Sequence, residues 1–443
     1  MNRATGTDRI CLALPTNRLC SAAISAIAEE AAYATRHFGV EVHLLILDSS
    51  DEATRRDHAH VVAGLPATHN VVVHHLDEER QRDFLRRVIR KAGPAEPDLI
   101  LDLLLPDAVS YGSCTNRAFL IAGALGCRSV HRRDSDSAYQ ILDGEPVFPI
   151  HHELASLGRP AAEASTEVSE TDLDPAHAHR PVSMVGSSFI GELSVDIDEI
   201  RRLDEGIYHD VVSLWAPGHW SDERKRHLVE ESFKGSGTER FTRDHSVLTL
   251  VDPMRVDMCN ISFDHEVYER MPLPPATSTI GSDYFLIHLV HDAALPGVLH
   301  NRDIENFYTP ERRTDPGFTA YQTRFVKFLL SMLYFNFVYE GMAAAGPALL
   351  DEHQRIRPDT VVGLLRASTG LDHTENLWRL ERVGISYRKL GGRYEAFADR
   401  LTARRDRLLD EAERDIEHFA LLIEAWAALM RAAEDHGVGS AAG

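Results

Sequence analysis

The 443-residue chain is 44% hydrophobic and 26% charged, enough to bury a sizeable core. At about 100–200 residues per domain it divides into two or three packed units. Its 47 Lys and Arg against 68 Asp and Glu leave a net charge of −21, which argues against a broad nucleic-acid footprint. No run nears the roughly 18 consecutive apolar residues of a membrane span, and Met1–Arg9 leads into no signal-peptide core, so a cytoplasmic location without membrane contact is expected.

The chain opens with a short apolar run, Arg9–Pro15, that stops at proline and is followed by helical spacing over Ser21–His37. Val40–Leu47 reads as a second strand, ending in Asp48-Ser49-Ser50-Asp51, and Asn70–Leu76 as a third, before a charged helix over Glu78–Lys91. Asp98–Leu105 is a further strand candidate, and Asn116–Gly126 a small-residue helix leading into Arg128–His131. Repeated βα units favour a mostly parallel sheet with helices on both faces. Residues 154–184 are rich in Ala, Ser, Glu and Pro with little periodicity, which predicts a flexible loop or insertion. Order is expected again over Val185–Val195, with strands near Ser246–Val251 and Val256–Phe263. Phe318–Gly341 and Tyr394–Met430 carry helical spacing, and the seam Tyr394, Leu401, Leu408, Ile416, Phe419, Ile423, Trp426, Met430 is buried either within the chain, the favoured arrangement, or in a homodimer. Five widely spaced cysteines, Cys11, Cys20, Cys114, Cys127 and Cys259, with no CxxC pair, are expected to be reduced.

The chemistry-bearing segment is His131-Arg132-Arg133-Asp134-Ser135-Asp136-Ser137. Asp134 and Asp136 at i and i+2 share a face on extended chain, so both can approach one divalent ion and leave room for phosphate oxygens.

The order of features around this D-x-D resembles that of GT-A glycosyltransferases of the broad family-2-like group, over about residues 9 to 302. Leu14-Pro15-Thr16-Asn17-Arg18 matches the turn that contacts the nucleotide, Asp48 to Asp51 the acidic-Ser turn for base or ribose, and Tyr111 to Arg117 the Gly/Asn/Arg segment opening a helix. The resemblance implies a GT-A-like, Rossmann-type mixed α/β sheet flanked by helices, with an α-helical C-terminal extension. It implies nucleotide-sugar contacts from Pro15, Thr16, Asn17, Arg18, Asp48, Ser50, Asn116, Arg117 and Asp134. Mn²⁺ or Mg²⁺ would sit on Asp134, Asp136 and His300. The acceptor side would include Asn260, and Asp283 would be the base. Two departures matter: Ser282-Asp283 stands where two acids are usual, and the Gln/Arg-x-x-Arg-Trp motif of processive synthases is missing. The first leaves only Asp283 to act as base or acceptor-positioning group, and the second argues against a processive polymerase and for single transfer to a discrete acceptor.

On this reading the metal neutralises charge on the departing diphosphate. Asp283 as base gives an inverted product; Asp283 as a hydroxyl-binding group leaves a retaining route open. Trp215 and Trp220 flank a Pro-Gly turn and either stack on an acceptor or pack in the core. Arg312 and Arg313 could clamp diphosphate, although their setting reads as a solvated loop. Lys234–Arg240 lacks the full P-loop pattern and reads as a mobile loop or lid. The histidines form no H-E-x-x-H frame, which argues against a dedicated zinc site. There is neither a G-x-S-x-G elbow nor a G-x-G-x-x-G after the first strand.

The expected organisation is a donor half over residues 1–153, an insertion over 154–184, an acceptor half over 185–310 and a helical region over 311–443. The expected activity is soluble, metal-dependent transfer of one sugar from a nucleotide sugar to a small hydrophilic metabolite, nucleoside or natural-product scaffold. The alternatives are a sugar-phosphate nucleotidyltransferase and a catalytically silent nucleotide-binding assembly protein.

Overall fold

The computed structural model describes residues 8–192 and 197–435. Met1–Thr7 and the Leu193–Val195 end of the expected ordered run lie outside the described residues.

Nine strands form one mixed sheet. In chain order they are β1 (Arg9–Thr16), β2 (Glu41–Asp48), β3 (Val71–Asp77), β4 (Ser129–Arg133), β5 (Glu170–Asp172), β6 (Met184–Gly186), β7 (Ser246–Thr249), β8 (Asn260–Asp264) and β9 (Gly297–His300). Their order across the sheet is β3-β2-β1-β4-β8-β6-β9-β7-β5. β1 to β4 are mutually parallel, with Leu12 opposite Leu44 and also opposite His131. β8 runs antiparallel between β4 and β6, and places Ile261 opposite Arg132. A smaller sheet joins Ser137–Tyr139 to Ile304–Asn306 and Phe189–Gly191, which ties the turn after β4 to the turns after β6 and β9.

The first βα units form for local reasons. Apolar β1 splits its side chains between two layers: Ile10, Leu12 and Leu14 pack with Ile24 and Ile27 of the helix Ser21–Phe38, while Cys11 and Ala13 join the larger core on the other face. Asp51, Asp77 and Ser110 cap the next helices by accepting from the backbone N–H of Thr54, Arg80 and Ser113. Gly39 ends the first helix at φ +67°, a left-handed position that other residues resist.

Two sequence expectations are corrected here. Asp98–Leu105 is not a strand: Pro97–Leu104 is a helix with proline in its first turn, and the strand slot beside β1 belongs to β4. An eight-residue apolar run does not distinguish the two, and here Ile100, Leu103 and Leu104 at helical spacing face the core. Residues 154–184 are not an irregular insertion. They hold the end of the helix Ile150–Ser156, the helix Ala161–Ala164, the edge strand β5 and the start of β6, with Ala161, Ala164 and Val182 buried. Elements this short leave no periodicity to read.

The C-terminal region consists of helices Asp315–Ala345, Pro358–Ser368, Thr374–Leu390, Gly392–Ala403 and Arg405–Glu434. The last packs on Glu78–Ala92 and Tyr111–Leu125, so its seam is covered by this chain's own α/β half rather than left open for a second copy. Trp426 is fully buried and donates its indole N–H to the Tyr268 carbonyl at 2.9 Å. The main core continues without a break from Cys11 to Ala433, so the boundary expected at 310/311 is not a break in packing. Asp315–Leu349 is long and apolar enough to cross a membrane by length and composition, although half of its most apolar stretch is buried inside the chain. All five cysteines are free thiols.

Candidate functional site

In an open α/β sheet, ligands bind beyond the carboxyl ends of parallel strands where the strand order reverses. Here that point lies between β1, which leads outward to β2 and β3, and β4 on its other side. The turns that follow these two strands, Pro15–Arg18 and Asp134–Asp136, line one cavity of about 770 Å³. Arg117, Arg132, Asp283, Arg312 and Arg324 line it as well, with an aromatic wall that includes Tyr111, Trp215, Tyr284 and Tyr321.

Charge is closely paired there. Asp136 Oδ2 accepts from Arg18 at 3.0 Å and from Arg312 at 2.6 Å. Arg132 is buried and bridges two acids, donating to Asp134 at 3.1 Å and to Asp283 at 2.9 Å. Burial pushes the Asp134 carboxyl up to about 6; Arg132 opposes the rise, while Asp136 and Asp283 add to it. Asp257, which also lines the cavity, is likewise raised by burial. Among the described residues, nothing donates a hydrogen bond to Asp134 Oδ2, Asp136 Oδ1 or Asp283 Oδ1. Oxygen atoms left over on three acids suit a hard divalent cation.

Strand alternation explains why Arg132 and Arg133 serve different purposes. Arg132 faces the cavity, whereas Arg133 on the opposite face pairs with Glu30 at 2.8 Å and Glu153 at 2.9 Å. His131 shares that second face and bonds Glu153 at 2.7 Å. This buried network pins the end of β4 and so fixes where the D-x-D turn starts.

Of the residues predicted from sequence, Pro15, Thr16, Asn17, Arg18, Arg117, Asp134, Asp136 and Asp283 line the cavity. The others lie elsewhere. His300 does not join Asp134 and Asp136. It is buried on the Arg133 face and stacks on His152 at 5.3 Å, and burial, aided by His152, holds its pKa well below the ordinary histidine value. Asn116 bonds both backbone groups of Leu273, at 2.8 and 2.7 Å, and Asn260 donates to the Ser188 and Arg302 carbonyls; both are struts. Trp220 lies under the Arg224 guanidinium outside the cavity, while its neighbour Trp215 lines it. Ser50 is buried, outside the lining, and its backbone N–H donates to Asp48.

Asp48 is fully buried, and its Oδ2 accepts from His58 Nδ1 and His75 Nε2, each at 2.8 Å. Burial alone would raise its pKa, yet the bonds from His75, His58 and Ser50 hold it well below the usual carboxylate range. These three side chains form an Asp/His group compact enough for a metal ion. The three also bond one another, and the Cys20 N–H donates to His58 Nε2 at 3.1 Å.

Sequence reasoning did not place Arg132, and set Arg312 in a solvated loop. The signal for Arg132 is its position two residues before Asp134, an arginine inside an otherwise buried strand. For Arg312, its side chain is largely buried and its burden is shared with Arg18 across the fold.

The chain belongs to the Family of unknown function (DUF6271), whose model matches residues 8–442. No curated protein matches its sequence. Among solved structures it is similar to one titled Crystal Structure of a Mycobacterial Protein, at 14% identity over 73% of this chain and 74% of that one, with a TM-score of 0.35. It is also similar to the mannosyltransferase PcManGT from Pyrobaculum calidifontis in complex with GDP-Man and Mn2+, at 13% identity over 92% and 86% of the two chains, with a TM-score of 0.36.

Proposed function

We propose that the cavity between β1 and β4 binds a nucleotide sugar and transfers its sugar to a small acceptor by GT-A-like chemistry. The observation that carries the reading is the meeting of Pro15–Arg18 with Asp134 and Asp136 at the reversal of strand order, with Arg18 and Arg312 gathered on Asp136. A diphosphate entering there meets two guanidinium groups able to form paired bonds with its oxygens. Asp134 and Asp136 would hold Mn²⁺ or Mg²⁺, which supplies positive charge opposite the diphosphate leaving group.

The residues then divide the work. Arg18 and Arg312 orient the diphosphate, and Arg132 holds Asp283 within the same chamber. Asp283 accepts the proton of the acceptor hydroxyl as its oxygen bonds the anomeric carbon; the old C–O bond breaks and its electron pair leaves with the diphosphate. The aromatic wall offers faces for the base or the sugar.

The test is a thermal-shift screen against UDP-, GDP-, dTDP- and CDP-sugars with Mn²⁺ or EDTA, on wild type and on Asp134→Asn with Asp136→Asn. Metal-dependent stabilisation by one nucleotide sugar, lost in the double variant, is expected. A wild-type protein that responds to none of them sinks the reading.

A further inference from the structure

A second cavity of about 1180 Å³ lies between the helix Pro97–Leu104, the 275–278 segment and the helices that start at Asp315, Gly392 and Arg405. It adjoins the first, because Ala108, Ala320 and Arg324 line both. In a chain of net charge −21 its lining carries Lys327 and six arginines against Asp102, Asp315, Glu411 and Asp415, a positive balance. Several are already neutralised: Lys327 is buried at 2.8 Å from Asp415, Arg407 donates to Glu411 at 2.6 Å, and Arg393 pairs with Glu199. Four have no such close partner. Among the described residues, the side chains of Arg324, Arg404 and Arg414 make no hydrogen bond or close ion pair, and that of Arg400 has only the Thr319 hydroxyl at 3.4 Å; Arg324 lies over the Tyr321 ring at 5.9 Å, and Arg414 is near enough to Asp415 to act on its carboxyl. Arginine side chains held in one concavity of positive balance without close ion pairs repel one another, a cost that an oxyanion would reduce.

We propose that this groove is the acceptor seat, and that the acceptor carries a phosphate or carboxylate group held by Arg324, Arg400 and Arg404 while its hydroxyl reaches the Asp283 chamber. The assignment to an acceptor rests on the transfer reading above; the anion seat itself rests on the groove. Guanidinium groups suit phosphate and carboxylate alike, so oxyanion chemistry is what the site selects. Arg324, shared by both cavities, marks the passage between them.

Calorimetric titration with pyrophosphate and with citrate, at low and moderate salt, tests the seat on wild type, on Arg400→Gln with Arg404→Gln, and on Arg18→Ala. Arg400 and Arg404 are exposed, and circular dichroism checks that the fold is intact. At least one probe is expected to bind wild type, weaken with salt, and lose tenfold or more in the Arg400/Arg404 variant while keeping its affinity in Arg18→Ala. Preference for pyrophosphate points to a phosphorylated acceptor, and preference for citrate to a carboxylated one. The proposal is overturned if neither anion binds wild type, if the Arg400/Arg404 variant binds as tightly, or if only Arg18→Ala loses binding. A parallel nucleotide-sugar titration separates the two claims: a chain that binds the anion but no nucleotide keeps the seat and loses its role in transfer.

Discussion

Arg312 donates to Asp136 at 2.6 Å although 176 positions of sequence separate them. The contact joins the start of the helical region to the D-x-D turn, so the C-terminal third contributes directly to the chamber formed by β1 and β4.

Arg312→Ala is therefore expected to weaken nucleotide-sugar binding by about ten- to a hundredfold, the equivalent of about 1.5–3 kcal/mol for a charge-assisted bond. Calorimetric titration of the donor checks this, with the melting temperature as a control for folding.

Asp134 gives a pH signature. Its carboxyl titrates near 6 in the folded chain, against about 3.9 unfolded, so ionising it costs stability, fully above about pH 6 and not at all below about pH 4. Asp134→Asn should melt higher than wild type at pH 8, and the gain should shrink as the pH falls through 6. Metal-dependent stabilisation of wild type should rise over the same interval, because the carboxylate has to ionise to bind. Melting curves from pH 5 to 8, with and without Mn²⁺, read both effects.

How far the sequence reveals this site depends on the range of the signal. The βα alternation from Arg9 to Ala92 is legible because each apolar run ends at a cap or turn a few residues away. The turns Pro15–Arg18 and Asp134–Asp136 are legible as motifs, and the structure brings them together. His300 is misleading, because its order along the chain matches a pattern whereas its β-strand face is set by packing against His152 and the Arg133 network. Asn116 and Asn260 look like ligand contacts but bond backbone groups 157 and 42–72 positions away, a relation no local pattern records. Arg132 and Arg312 gain their meaning only from partners brought in by the fold.

Asp48→Ala removes the acceptor shared by two histidines in a fully buried place. A loss of about 3 kcal/mol is expected, from the orphaned donors. Because the Asp48 pKa is depressed, its contribution is present above about pH 4 and fades as the pH falls further. Urea denaturation of both proteins at pH 7 and pH 3 should show the gap narrowing in acid.

Trp426→Ala should cost about 3–5 kcal/mol through the cavity left behind. Trp426→Phe should cost less, about 1–2 kcal/mol, chiefly from the Tyr268 carbonyl losing its donor. Denaturant midpoints measure both. Sedimentation should show no change in association state for Trp426→Phe, since the seam closes on this chain's own helices.

Arg324 stands in the wall common to the two cavities, which would make it a point of thermodynamic linkage if both hold anions as proposed. An anion on one side would draw on the same positive charge as an anion on the other, so each occupant would weaken its neighbour, and by the same factor whichever arrives first. A nucleoside diphosphate left behind after transfer would thereby loosen the groove's hold on a charged product. Mutual antagonism through a single guanidinium would make departure of the two products easier than their joint retention.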